Sequence, residues 1–120
     1  MTIEELEIWK ALTDAELVEA VAREVLGIKA VHMHGNLPIA YKKQLWHVDH
    51  MYEYTDPWRP FRDLNDLFMV LEKHDKWEIV RTAVYTVNIW IAPGEIKQAS
   101  SIFLPRAVLE AALAAERSEK

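Results

Sequence analysis

The run from Trp77 to Ala92 constrains this chain more than any other stretch. Trp77, Ile79, Val80, Thr82, Val84, Tyr85, Val87, Ile89, Trp90 and Ile91 put β-branched or aromatic side chains at most of its positions. That composition suits a pleated, half-buried backbone better than a helix. The run is far longer than an ordinary strand of about 5–6 residues, so it predicts two strands with a bend or turn near 82–86. Pro93-Gly94-Glu95 is a turn signal, and a further short strand follows at 96–102. Successive strands joined this tightly pair antiparallel.

Helical periodicity brackets this block. Leu17, Val18, Val21 and Val25 share one face of a helix predicted at about 14–26. Thr13 with Glu16 forms a capping box at its start, and Gly27 is a left-handed cap at its end. Leu64, Leu67, Phe68 and Leu71 predict a second helix at about 61–73, after an Asp56–Pro60 loop. Pro105 opens a last helix to about 117, with Val108, Leu109, Ala112 and Leu113 as its apolar face. Thr2 with Glu5 caps a short helix at about 3–11. Strands are expected at 28–33, 39–46 and 48–54, the first two around a Gly35–Pro38 turn. Helices therefore lie between hairpins and must cover a largely antiparallel sheet. The fold class is α+β.

The chain of 120 residues suits a single domain over 1–120. It has no cysteine, which removes disulfides, thiolate zinc sites and cysteine nucleophiles together. No apolar run approaches the roughly 20 residues that span a bilayer, and the acidic start lacks the features of a signal peptide. The expectation is a cytosolic protein with no membrane partner. The net charge is −5. Glu4, Glu5, Glu7, Asp14, Glu16, Glu19 and Glu24 face only Lys10 and Arg23 in residues 1–28, while the remainder is balanced. No basic stripe is present, so polymeric nucleic acid is not an expected partner. Five tryptophans are more than a domain of this size readily buries, which points to a homo-oligomer.

The chemistry concentrates between Trp46 and Arg62, WHVDHMYEYTDPWRPFR. Trp58, Arg59 and Arg62 fall at the predicted start of a helix, where unpaired N–H groups and the positive dipole end favour an anion. Two guanidinium forks add bidentate donors, and Trp58 offers a face for a base to stack on. Tyr54, His47 and Lys42 are the secondary candidates, and Lys43 and Arg81 can complete an anion pocket if the sheet brings them near. The competing reading is that Trp58 and Phe61 staple the helix to the core and the arginines are solvated. His32, His34, His47 and His50 could meet as ligands to a divalent ion. Strand and loop histidines are commoner, so no metal and no cofactor is expected. His47 or His50 with Asp49, Glu53 or Asp56 could act as an acid–base pair. A solvated segment with alternating core aromatics explains the same residues. No Gly-rich phosphate loop or Gly-x-Ser-x-Gly element exists.

Three pieces of the chain, AREVLGIK at 22–29, RPFRDLNDLFMVLEK at 59–73 and LPRAVLEAALAA at 104–115, resemble the phage ABA-sandwich domain in order and spacing. The resemblance implies a three-layer α/β/α sandwich, a bacteriophage origin and action in the host bacterial cytoplasm. It implies no catalytic residues. Small phage accessory proteins of this kind often antagonise host defence, some by sequestering nucleotide signals. The expectation is thus a non-enzymatic binding protein, a sponge for a small anionic or nucleotide-type ligand. The alternatives are a module that binds a host or phage protein through its aromatic surface, and a small metal-dependent enzyme.

Overall fold

A computed structural model describes residues 12–35, 37–46 and 52–118. The short helix read at 3–11 and the segment holding His47 and His50 lie outside the described residues. Helix α1 spans Asp14–Glu24. Its capping box is present: Thr13 Oγ1 accepts from the Glu16 backbone N–H at 3.1 Å, and Glu16 Oε1 accepts from the Thr13 N–H at 3.0 Å. Thr13→Ala removes the first bond and weakens the second. It should cost about 1 kcal/mol, read as a drop of a few degrees in Tm. Beyond the helix Gly27 adopts φ 67, and the Ile28 N–H returns to the Ala22 carbonyl at 2.9 Å.

Strands β1 (Val31–His34), β2 (Leu37–Trp46) and β3 (Tyr52–Trp58) form one antiparallel sheet in that order. Gly35, at φ 65, makes the turn into β2. The chain then turns through 59–63 into α2 (Leu64–Leu71). Strands β4 (Trp77–Arg81), β5 (Tyr85–Ala92) and β6 (Glu95–Ser101) form a second antiparallel sheet, and α3 (Leu104–Ser118) closes the chain. The bend expected inside 77–92 is the 82–84 turn, held by Thr82 N–H donating to Val84 O at 2.9 Å.

The α+β class and antiparallel pairing are as expected. The strands divide into two three-stranded sheets, with α2 between them in the chain. Two boundaries also shift. β3 runs on to Trp58, where a loop was expected, because Trp58 pairs with Ala40 across the ladder. The second helix starts later than expected, because residues 59–63 form a turn in which Arg62 N–H and Asp63 N–H both donate to the Arg59 carbonyl.

The core gathers around α3. Residues 107–115 of this helix are all buried, against α1, α2, β5 and β6. A helix enclosed on several sides needs small residues where neighbours approach closely, and Ala107, Ala111, Ala112, Ala114 and Ala115 supply them. Leu17 and Val21 of α1, Leu67, Val70 and Leu71 of α2, and Val87 and Ile89 of β5 pack around it. The buried polar residues Glu110 and Asn88 are partnered, whereas the buried Nε2 of His74 has no hydrogen-bond partner among the described residues. Glu110 receives Arg106 Nε at 2.7 Å. The amide of Asn88 donates to Glu78 at 2.8 Å and accepts from Gln98 at 2.8 Å.

Candidate functional site

The segment from Asp56 to Asp66 is organised by one carboxylate. Asp66 lies in the first turn of α2 and is 4% exposed. Its Oδ1 accepts from Lys42 Nζ of β2 at 2.6 Å and its Oδ2 from the Arg59 backbone N–H at 2.8 Å. Its backbone carbonyl accepts from Trp58 Nε1–H at 2.7 Å. Lys42 Nζ also lies 3.3 Å from Asp56 Oδ1. The hydrogen bond to Asp66 holds the Lys42 ammonium above the usual lysine range, with Asp56 adding to the effect against desolvation. Asp56 itself sits at φ 60, an uncommon region for a residue other than glycine.

This arrangement changes three expectations. Trp58 is 2% exposed, so its faces belong to the core and offer nothing for a base to stack on. Lys42 is committed to two carboxylates and is not a free anion donor. The start of α2 already carries the chain's own acids: Asp63 caps it, accepting from Asn65 N–H at 2.8 Å, and Asp66 follows. A phosphate placed there would meet carboxylates, which costs more than the helix dipole returns. The Lys42 expectation failed for a reason the sequence hides. The Asp66–Lys42 pair joins residues 24 positions apart, and no local pattern announces it.

The two arginines fare differently. Both are exposed, and among the described residues neither has an ion pair. They border a cleft of about 300 Å³ whose apolar walls include Val18 of α1, Leu37 and Ile39 of β2, and Phe61. Phe61 also separates this cleft from a second one, of about 380 Å³, lined by Asp14, Phe103, Pro105 and Arg106. Arg106 is engaged there by Asp14 and the Leu12 carbonyl, at 2.7 and 2.6 Å. Leu37 and Phe61 keep 64% and 38% of their surface exposed. The aromatic face open to a ligand is therefore Phe61. Sequence reasoning assigned Phe61 to the core staple and did not bring Leu37 or Ile39 to the site. The alternation of Leu37 and Ile39 on one strand face was the available signal.

The remaining candidates lie elsewhere. Tyr54 pairs with Gln44 in the β2–β3 ladder, and its side chain is outside the described atoms, as is all of His47. Lys43 reaches toward Asp56, at 3.9 Å. Arg81 belongs to the other sheet, over the Tyr85 ring. His34 and Tyr41 are hydrogen-bonded at 3.2 Å, with His32 against the same ring. Among the described residues no cluster of three or more His, Cys, Asp or Glu is disposed to hold a metal ion. No helix among them is long and apolar enough to cross a membrane.

No protein-family model matches the chain, and no curated protein matches it. Among solved structures it is similar to a phage protein from Bacillus cereus ATCC 14579, with 16% identity, 88% of each chain covered and a TM-score of 0.56. At that identity the likeness establishes a shared fold. The resemblance carried by residues 22–29, 59–73 and 104–115 is thus supported as far as a shared fold with that protein, and not to the ABA-sandwich family itself.

Proposed function

We infer that this is a bacteriophage accessory protein that acts by binding, not by catalysis. Its ligand is a small anion with an apolar or aromatic body, a nucleotide-type signal being the leading class. Sequestering such a signal in the host cytoplasm would blunt a defence response. The observation that carries the reading is the cleft at Arg59 and Arg62. Two guanidiniums that have no ion pair among the described residues stand beside apolar walls and an exposed Phe61 ring, so anionic and planar parts of one molecule can be met together. The shared fold with a phage protein supports the phage setting.

The test is calorimetry with a panel of cyclic di- and trinucleotides and ADP-ribose derivatives. Arg62→Ala should weaken binding by about 10- to 100-fold, the equivalent of one charge-assisted hydrogen bond. Its Tm should stay at the parent value, since an exposed arginine contributes little to folding. Phe61→Ala should weaken binding by about tenfold through lost stacking. A parent protein that binds no member of the panel sinks the sponge reading. In that case the exposed Leu37, Phe61 and Phe103 favour the second reading, a surface for a host or phage protein.

A further inference from the structure

Each edge strand of a sheet turns a row of unpaired N–H and C=O groups outward, a template for another strand. The two sheets leave four such edges, β1, β3, β4 and β6. Three of them are blunted. β1 has only four residues. β3 contains Pro57 and is distorted at Asp56, whose φ is 60. β6 carries Lys97, and its register with β5 shifts between Trp90 and Ala92. Short length, proline, irregularity and lysine are what keep an edge from pairing. β4 has none of them. It reads WEIVR and pairs with β5 without a break in register. All of its residues except Ile79 are exposed, Trp77 and Val80 at 39% and 43%. Among the described residues no strand pairs with its outer side.

The β4–β5 ladder fixes where the backbone groups of β4 point. Trp90 N–H donates to the Lys76 carbonyl at 3.1 Å at one end of the hairpin, and Thr82 N–H to the Val84 carbonyl at 2.9 Å at the other. Bonded and non-bonded pairs alternate along an antiparallel ladder. Glu78 and Val80 therefore direct their backbone groups to β5, and Trp77, Ile79 and Arg81 direct theirs outward. The side chains divide in the same way. Ile79 packs against the core, so Trp77 and Arg81 share its face. There Trp77 stacks on Phe68 at 6.0 Å, and the Arg81 guanidinium stands over the Tyr85 ring at 5.6 Å. Glu78 and Val80 lie on the opposite face.

We propose that β4 pairs antiparallel with β4 of a second copy, centred on Ile79, joining the two copies' sheets into one. A two-fold axis perpendicular to the sheet keeps every residue on its own face, so odd positions oppose odd and even oppose even. Centring on Ile79 engages the whole outward row: Ile79 faces Ile79, and Trp77 faces Arg81 at both ends. A shift of two residues either way carries Trp77 or Arg81 past the end of the facing strand. The centred register also sets each Arg81 cation beside the indole of the other copy, a favourable contact, and sets Glu78 opposite Val80. β4 holds one acid and one base, so no net charge is brought together although the chain carries −5. No residue lining the Arg59–Arg62 cleft belongs to β4, and the pairing does not depend on the ligand reading.

Sedimentation equilibrium of the full chain over a dilution series should show monomers and dimers in exchange. Val80→Glu places a second carboxylate opposite Glu78, twice per dimer, and should weaken association about tenfold. Val80→Lys places an ammonium there instead and should leave association at least as tight. The chain has no cysteine, so thiols give an independent readout of register. Glu78→Cys mixed with Val80→Cys sets the two thiols on facing non-bonded positions, with Cα atoms about 4.5 Å apart, within disulfide reach. Under mild oxidation the mixed disulfide should exceed its statistical share over the two homodisulfides. Val80→Cys mixed with Glu95→Cys, at the β5–β6 turn, should show no such excess. A parent that stays monomeric throughout the series overturns the proposal. So does a Val80→Lys variant as weakened as Val80→Glu, or a mixed disulfide at its statistical share, since either puts the contact in another register or on another surface. If Val80→Glu fails to fold, the mixed disulfide decides.

Discussion

Leu67→Asp and Val108→Asp should unfold this protein, whereas Leu64→Asp should leave its stability near the parent value. Leu67 and Val108 are fully buried on α2 and α3, which pack on one another. Removing a buried leucine alone costs about 2–5 kcal/mol. A carboxylate without a partner in the same space adds several more. Together these exceed the margin of about 5–15 kcal/mol that a domain of this size holds, or consume most of it. Leu64 sits one turn earlier on α2 with 61% of its surface exposed. An acid there lies at the favourable end of the helix dipole. Thermal melts followed by circular dichroism separate the three. If Leu67→Asp or Val108→Asp melts with the parent, α2 and α3 are not the core helices and the layer assignment falls.

The helices were legible because their signal is local. Leu17, Val21, Leu67, Leu71, Val108 and Leu113 recur at helical spacing, and all are fully buried. The Thr13–Glu16 capping box and the positive φ of Gly27 are likewise decided within a few residues. The strand-rich 77–101 region was legible for the same reason, down to its internal turn. What local pattern could not provide was the division of the strands into two sheets, which depends on which edges meet. At the site the same limit appears residue by residue. Trp58 and Phe61 are both aromatics beside a proline, yet one is buried and the other is open. The difference is set by the ladder partner of Trp58 and by a hydrogen bond to a carbonyl eight residues on. Arg59 and Arg62 stayed at the site because long charged side chains at a turn remain solvated in most environments.

Lys42→Met should be the most costly single change at the site, and should cost far more than Asp66→Asn. The two residues form one pair, but the environments differ. Asp66 is 4% exposed, and the Lys42 side chain keeps 20% exposure and a second carboxylate, Asp56, at 3.3 Å. Methionine strands a buried charge, at a cost of about 3–5 kcal/mol. Asparagine instead leaves a lysine that still has Asp56 and some water, and its carbonyl oxygen can still accept from Lys42 or from the Arg59 N–H. The first variant should therefore lose about 10 °C or more in Tm, and the second only a few degrees. The pH dependence follows from the direction of the Lys42 shift. Its pKa is raised in the folded state, chiefly by the Asp66 hydrogen bond. The folded protein thus holds this proton more tightly than the unfolded chain does, and the contribution is complete below the unfolded value of about 10.4. It is lost as pH rises through the higher folded value. The stability gap between the parent and Lys42→Met should stay flat from neutral pH to about 9, then narrow above about 10.4. Urea titrations of both proteins at pH 7, 9 and 11 read this gap directly, since other titrating groups are common to the two. A gap that widens at pH 11 would mean the lysine's stabilising form is not the protonated one. A gap absent at pH 7 would mean Asp66 finds its partners elsewhere, and the carboxylate would no longer be what ties the cleft's turn to β2.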